Sequence, residues 1–216
     1  MVEFIYQFSK PLKILVLLTL LFALSSLKWK NITHRFLLLI LLVCFFMELT
    51  NSILLFYSKS IVLESTIGTI LHHGLWLWLL ARNAVFQKTA FLLLYAFLLF
   101  AIASLLFIDG TQKFNYYTFV VGAFLYIIIF IYESSYRLRK ESFDFFLSNT
   151  YILLTAPVLF FFGLSFMFGF NSKNVTSFLL FGHIKLYTFI TYFVNIVYYS
   201  LINIYIYREK KLKNGE

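Results

Sequence analysis

The sequence predicts an all-α, polytopic membrane protein, a seven-transmembrane-helix bundle with its N-terminus outside and its C-terminus cytoplasmic. Composition is the first observation: of 216 residues, 62% are hydrophobic and only 12% charged, about half the share that covers a soluble domain. The second is that apolar runs of roughly 20 residues, the length of helix that the hydrocarbon core requires, follow one another along nearly the whole chain. The third is the distribution of Lys and Arg, which clusters in alternate connections.

Taken in order, the spans are expected at Pro11 to Leu27, Phe36 to Tyr57, Ile61 to Ala81, Thr89 to Ile108, Tyr116 to Tyr136, Phe146 to Phe168 and His183 to Tyr207. The connections are short, so residues 1–216 read as a single transmembrane domain without a soluble catalytic unit. One side of the membrane collects Lys28, Lys30, Arg35, Arg82, Lys88, Arg137, Arg139, Lys140, Arg208, Lys210, Lys211 and Lys213. The other holds Lys10, Lys13, Lys59, Lys113, Lys173 and Lys185. The richer side is assigned to the cytoplasm. A net charge of +9 is thereby explained as membrane topology, and nucleic-acid binding is set aside. An alternative takes the first apolar run, followed by Ala23-Leu24-Ser25, as a cleavable signal peptide. It would invert every later loop against the charge distribution.

Polar side chains inside hydrocarbon must face the bundle interior, so their stripes map the faces that helices turn to one another. The third span presents Glu64, Gly68 and His72 at i, i+4, i+8, with Ser65, Thr69 and His73 in a parallel row, and is expected at the centre. The second aligns Cys44, Glu48, Asn51 and Ser52. The seventh aligns Thr191, Tyr192, Asn195, Tyr199 and Asn203, and the sixth adds Thr155 beside a kink expected at Pro157. The fourth is nearly featureless and is expected at the periphery. Glu48 lies twelve residues, about 18 Å, from the inner start of its span, and His72 and Asn195 lie at similar depth.

A midplane carboxyl must be protonated, paired or hydrated, and histidine is a natural partner. The resulting candidate is a ligand or proton site of Glu48, Asn51, His72, His73, Trp76, Thr155, Tyr192 and Asn195; the competing reading is interhelical hydrogen bonding that clamps the bundle. Adjacent histidines point about 100° apart on a helix, so no metal set converges, and no cofactor is implied. Cys44, the single cysteine, reads as a small core residue. Glu133 and Arg137, at i and i+4, suit a structural ion pair. Arg137, Arg139, Lys140, Arg208, Lys210 and Lys211 are candidates for docking an acidic cytoplasmic signalling protein. Asn31-Ile32-Thr33 and Asn174-Val175-Thr176 match the glycosylation pattern, a short match without weight here. The segment Phe170 to Gly182, the longest outer loop, is a candidate lid or partner contact.

Seven spans with an outside N-terminus resemble the rhodopsin architecture, but the seventh span's lysine, Lys185, lies near its outer end and the third span has no aspartate, which argues against a retinal pigment. Histidine-ligated zinc hydrolases of the membrane ceramidase and adiponectin-receptor kind carry a His-x-x-x-His pair in the last span, absent here after His183. Seven-span sugar transporters of three plus one plus three helices are similar in length and in an apolar fourth span, although their prolines and any internal repeat are missing. The working expectation is a small receptor-like or sensory component with a midplane polar pocket, acting through a separate cytoplasmic protein. A solute or proton-coupled transporter and a membrane-embedded hydrolase are the alternatives. The Phe, Ile, Lys and Asn bias suits a bacterium with an AT-rich genome, hence the cytoplasmic membrane. The oligomeric state is not legible.

Overall fold

The computed structural model describes residues 10–108, 110–169, 178–180 and 182–214. Its helices are α1 (Pro11–Ser26), α2 (Ile32–Phe56), α3 (Val62–Asn83), α4 (Gln87–Ala103), α5 (Tyr116–Arg139), a short α6 (Phe143–Leu147), α7 (Asn149–Gly169) and α8 (Leu186–Asn214). Every expected span thus corresponds to one long helix, but among the described residues only five helices are long and apolar enough to cross a membrane: α2, α4 with its extension to Ile108, α5, α7 and α8. Two therefore depart from the seven-span expectation. The 16 residues of α1 give about 24 Å of helix against a hydrocarbon core of about 30 Å. Helix α3 has the length, but Glu64, Ser65, Thr66, Thr69, His72 and His73 dilute its apolar character.

Local chemistry explains where the elements begin. Asn31 caps α2 by accepting the Thr33 N–H at 2.9 Å, and Asn115 caps α5 by accepting that of Thr118 at 2.9 Å. Helix α7 begins at Asn149, not Phe146, because Ser148 is extended and its hydroxyl accepts the Tyr151 N–H at 3.2 Å. The last helix begins at Leu186, not His183, since Ile184–Lys185 pairs antiparallel with Leu179–Leu180 (β1 and β2). Residues 170–177 and 181 of the expected outer loop, with Asn174-Val175-Thr176, lie outside the described residues. After Ala103 the fourth helix widens into a π-helical turn, Ser104–Ile108. There Ser104 and Asn115 exchange side-chain hydrogen bonds, with the Asn115 amide as donor at 2.9 Å.

The helices pack in chain order and close on themselves, each long helix against the next and α8 against α1. Helix α3 also meets α5 and α7, and α4 lies outside against α3 and α5. Helix α8 packs most extensively against α7. Gly163 permits that approach, since a Cβ there would lie 2.6 Å from Val194 Cγ1, the small-residue device by which membrane helices come close. Helix α7 continues unbroken through Pro157. The Tyr126 hydroxyl supports that segment by donating to the Leu154 carbonyl at 2.7 Å.

At the basic end, Glu133 is 3% exposed. It accepts from Arg137 Nε at 2.5 Å and from the Val85 N–H at 2.9 Å, while Arg137 Nη2 donates to the Asn83 carbonyl at 2.9 Å. The expected i, i+4 pair thus also fastens the α3–α4 connection to α5. Removing one partner strands the other charge, at a cost of about 3–5 kcal/mol. Glu133→Ala should therefore lower the detergent unfolding midpoint sharply, and Arg137→Ala likewise, read by circular dichroism. An unchanged midpoint in both variants would show that water screens the pair.

Candidate functional site

Helix α3 places His72, His73 and Trp76 among α2, α5, α7 and α8, and these five helices contribute to one cavity there. Its volume is about 120 Å³, and Cys44, Glu48, Thr69, His72, His73, Asn195 and Tyr199 supply its polar lining. Phe119, Phe160 and Met47 close the rest. The cavity brings together Glu48, His72, His73 and Asn195 of the sequence-derived candidates. The other four do not line it. Asn51 accepts from Ser65 Oγ at 3.5 Å, and the Thr155 hydroxyl is turned back to the Tyr151 carbonyl at 2.8 Å. Tyr192 is half-buried on α8. Trp76 is fully buried one turn along α3 and touches the site through His72.

The two histidines are held differently. Trp76 Nε1 donates to the Tyr198 hydroxyl at 2.9 Å and lies 3.2 Å from His72 Nε2. That hydroxyl is in turn 3.1 Å from His72 Nε2. Indole is only a donor, so complementarity runs from Trp76 to Tyr198 to His72, whose Nε2 accepts. His73 Nδ1 lies 2.9 Å from the Thr69 carbonyl and must donate to it, which leaves Nε2 as the acceptor. That atom is buried and has no hydrogen-bond partner among the described residues. Aromatic rings fix both imidazoles. His73 stacks on Phe161 at 4.4 Å and meets the edge of Phe119 at 4.8 Å, while His72 meets Phe160 at 5.6 Å.

Glu48 finds a partner that the sequence reading placed elsewhere. Lys13, counted there among the outer charges, is 7% exposed. Its ammonium donates to Ser52 Oγ at 2.6 Å and lies 3.6 Å from Glu48 Oε2. The Ser52 hydroxyl itself donates to the Glu48 carbonyl at 2.7 Å. Helix α1 thus supplies the cation for the carboxylate, while the histidines share the cavity with it. Lys13, Cys44, Thr69, Tyr198 and Tyr199 are absent from the sequence-derived site, and Cys44, expected as a small core residue, lines the cavity instead. Tyr199 was visible on the polar stripe of the last helix. Tyr198, one residue round, and Lys13, beside the aqueous end of its run, carry no such signal.

The basic segments are engaged to different degrees. Arg137 is committed to Glu133 and lies 4.0 Å over the Phe145 ring. Arg208 donates to the Leu147 carbonyl at 3.4 Å, Lys210 lies 5.9 Å over Phe22 and Lys211 5.3 Å over Tyr207. Arg139 and Lys140 are exposed. Glu209 ties this end together, accepting from Asn149 Nδ2 at 2.7 Å and from His34 Nε2 at 3.1 Å. His34 Nδ1 accepts the Lys28 N–H at 3.1 Å.

Long apolar helices with polar groups paired in their midst define a multi-pass α-helical membrane protein. No known protein family matches the chain, and comparison with curated proteins and with solved structures finds no match. Among the described residues no set of three or more His, Cys, Asp or Glu side chains is placed to hold a metal ion.

Interhelical hydrogen bonds in membranes contribute about 0.6 kcal/mol on average and up to about 1.7. Tyr198→Phe is expected to destabilise within that range and Trp76→Phe by more, because it also leaves a cavity at a fully buried position, and a double-mutant cycle in mixed micelles should return a favourable coupling. Zero coupling would mean that the indole and phenol pack without bonding.

Proposed function

We propose that the chain is a small sensing component of the membrane, in which the cavity on α3 receives a small polar ligand and α8 relays its occupancy to a cytoplasmic partner. In this reading all seven long helices cross, α1 and α3 carried by their neighbours, with the N-terminus outside. The observation that carries the reading is the continuity of α8. One 29-residue helix, Leu186–Asn214, bears Asn195 and Tyr199 at the cavity, Tyr198 behind His72, and Arg208, Lys210 and Lys211 at the basic end. A ligand that shifts the cavity face of this helix shifts its far end too, and Glu209 gives that end two helices to move against.

Cavity size supports a small occupant. At about 30 Å³ per water, a volume of about 120 Å³ corresponds to a few waters or a ligand of similar bulk. The Glu48 carboxylate on its wall favours a hydrogen-bond donor there. Carriage of a proton or small solute is the second reading, favoured by the ionisable pair Glu48 and Lys13 beside the histidines.

Transport separates the two. Proteoliposomes of the intact chain, loaded with a pH-sensitive dye and given an imposed proton gradient, should dissipate it no faster than protein-free vesicles. The same should hold for uptake of labelled small amines and alcohols. Flux that disappears in Glu48→Gln would replace the sensor with a carrier. Orientation is read independently by reporter fusions after Lys30, Lys59 and Glu216: a cytoplasmic signal is expected for the first and third and an external one for the second. The opposite pattern would remove the proposed topology.

A further inference from the structure

A second opening, which shares Met47 as a wall with the histidine cavity, lies between α2 and α3. Its volume is about 480 Å³, within the range of about 300–1,000 Å³ of small-molecule sites. Thr50 and Glu64 provide its polar atoms among otherwise apolar walls. The groove opens away from the bundle, because Ile67 and Leu71, one turn apart on its α3 wall, are 44% and 51% exposed. Its floor is adaptable. Gly68 has no side chain, and Met47 fills the space where a Cβ would stand.

Glu64 sets the chemistry. It is half-buried in the first turn of α3, and the Ser65 hydroxyl, 3.4 Å away, has one proton to divide between it and Asn51 Oδ1 at 3.5 Å. Among the described residues its carboxylate has no ion-pair partner, unlike Glu48, Glu133 and Glu209. Helix α2 is able to cross the membrane and ends at Phe56, and α3 begins at Val62. Glu64, two residues further, therefore stands within about 5 Å of the α3 start, at headgroup depth. An apolar trough open to lipid with an unpaired carboxylate at headgroup level is complementary to a molecule with a hydrocarbon tail and a hydrogen-bonding cation at its head.

We propose that this groove binds an aminophospholipid of the surrounding bilayer, with an acyl chain along Ile67 and Leu71 and the primary ammonium donating to Glu64. A quaternary ammonium of the same charge has no N–H to donate and should bind less well.

The test is native mass spectrometry of the full-length protein in mild detergent. Phosphatidylethanolamine, phosphatidylcholine or phosphatidylglycerol of identical acyl chains is added in turn. The wild-type chain should retain the ethanolamine lipid at least about threefold more than either of the others, a factor that corresponds to about 0.65 kcal/mol. Glu64→Gln should bring its retention down to the choline level, and Ile67→Trp, which fills the trough from its exposed wall, should reduce retention of all three. Equal retention of ethanolamine and choline lipids by the wild type overturns the proposal. So does a preference that survives Glu64→Gln, which would leave Glu64 as a charge that only complements the helix N-terminus. Ile67→Trp keeps the proposal testable if Glu64→Gln does not yield a monodisperse protein, because undiminished retention there also overturns it.

Discussion

Hydrocarbon offers no hydrogen bonds, and that single constraint organises this molecule. Most polar groups carried into the bundle meet a partner on another helix or turn back on their own backbone. Both solutions occur. Thr155 and Asn195 bond to carbonyls one turn behind them. Lys13 and Ser52, Asn203 and Thr19, and the Trp76, Tyr198 and His72 set join different helices. The interhelical bonds recur at several heights, from the Ser104 and Asn115 pair to Glu209 between His34 and Asn149. Such bonds select one helix arrangement over others that would pack Leu and Phe equally well, since lipid tails are as apolar as those side chains.

Against that background the cavity on α3 is a place where pairing is incomplete. Lys13 supplies a counter-charge to Glu48, and Tyr198 occupies His72 Nε2, but His73 Nε2 is buried without a partner among the described residues. Its ring is held by Phe161 and Phe119, so the acceptor is kept in position by packing and by the Thr69 carbonyl. Helix α3, whose polar rows run along much of its length, packs against four other long helices.

Legibility in the sequence followed the reach of each interaction. The polar rows of the third span and the bare fourth span could be read because a helix repeats its faces every 3.6 residues, and the central and peripheral positions of α3 and α4 follow from those rows. Glu48, His72, His73 and Asn195 were readable as one layer, because depth along antiparallel helices is set by residue count. Extent along each helix and side-chain direction were less readable: Asn51 and Tyr192 share the faces of Glu48 and Asn195 but do not line the cavity, and the Thr155 hydroxyl turns back to the Tyr151 carbonyl. The number of crossings is the other departure. Window length suggested seven, whereas α1 is short by a turn or more and α3 is too polar to meet the requirement by composition.

Amino-acid order alone determined that the chain enters lipid and where its helices run, because these depend on composition and on a fixed helical period. Only the tertiary structure decided that Lys13 reaches Glu48, that Tyr198 and not Glu48 holds His72, and that Glu64 is left at the wall of an apolar groove. Those outcomes depend on how each helix is rotated and how closely it approaches its neighbours, which the packing of all of them settles together.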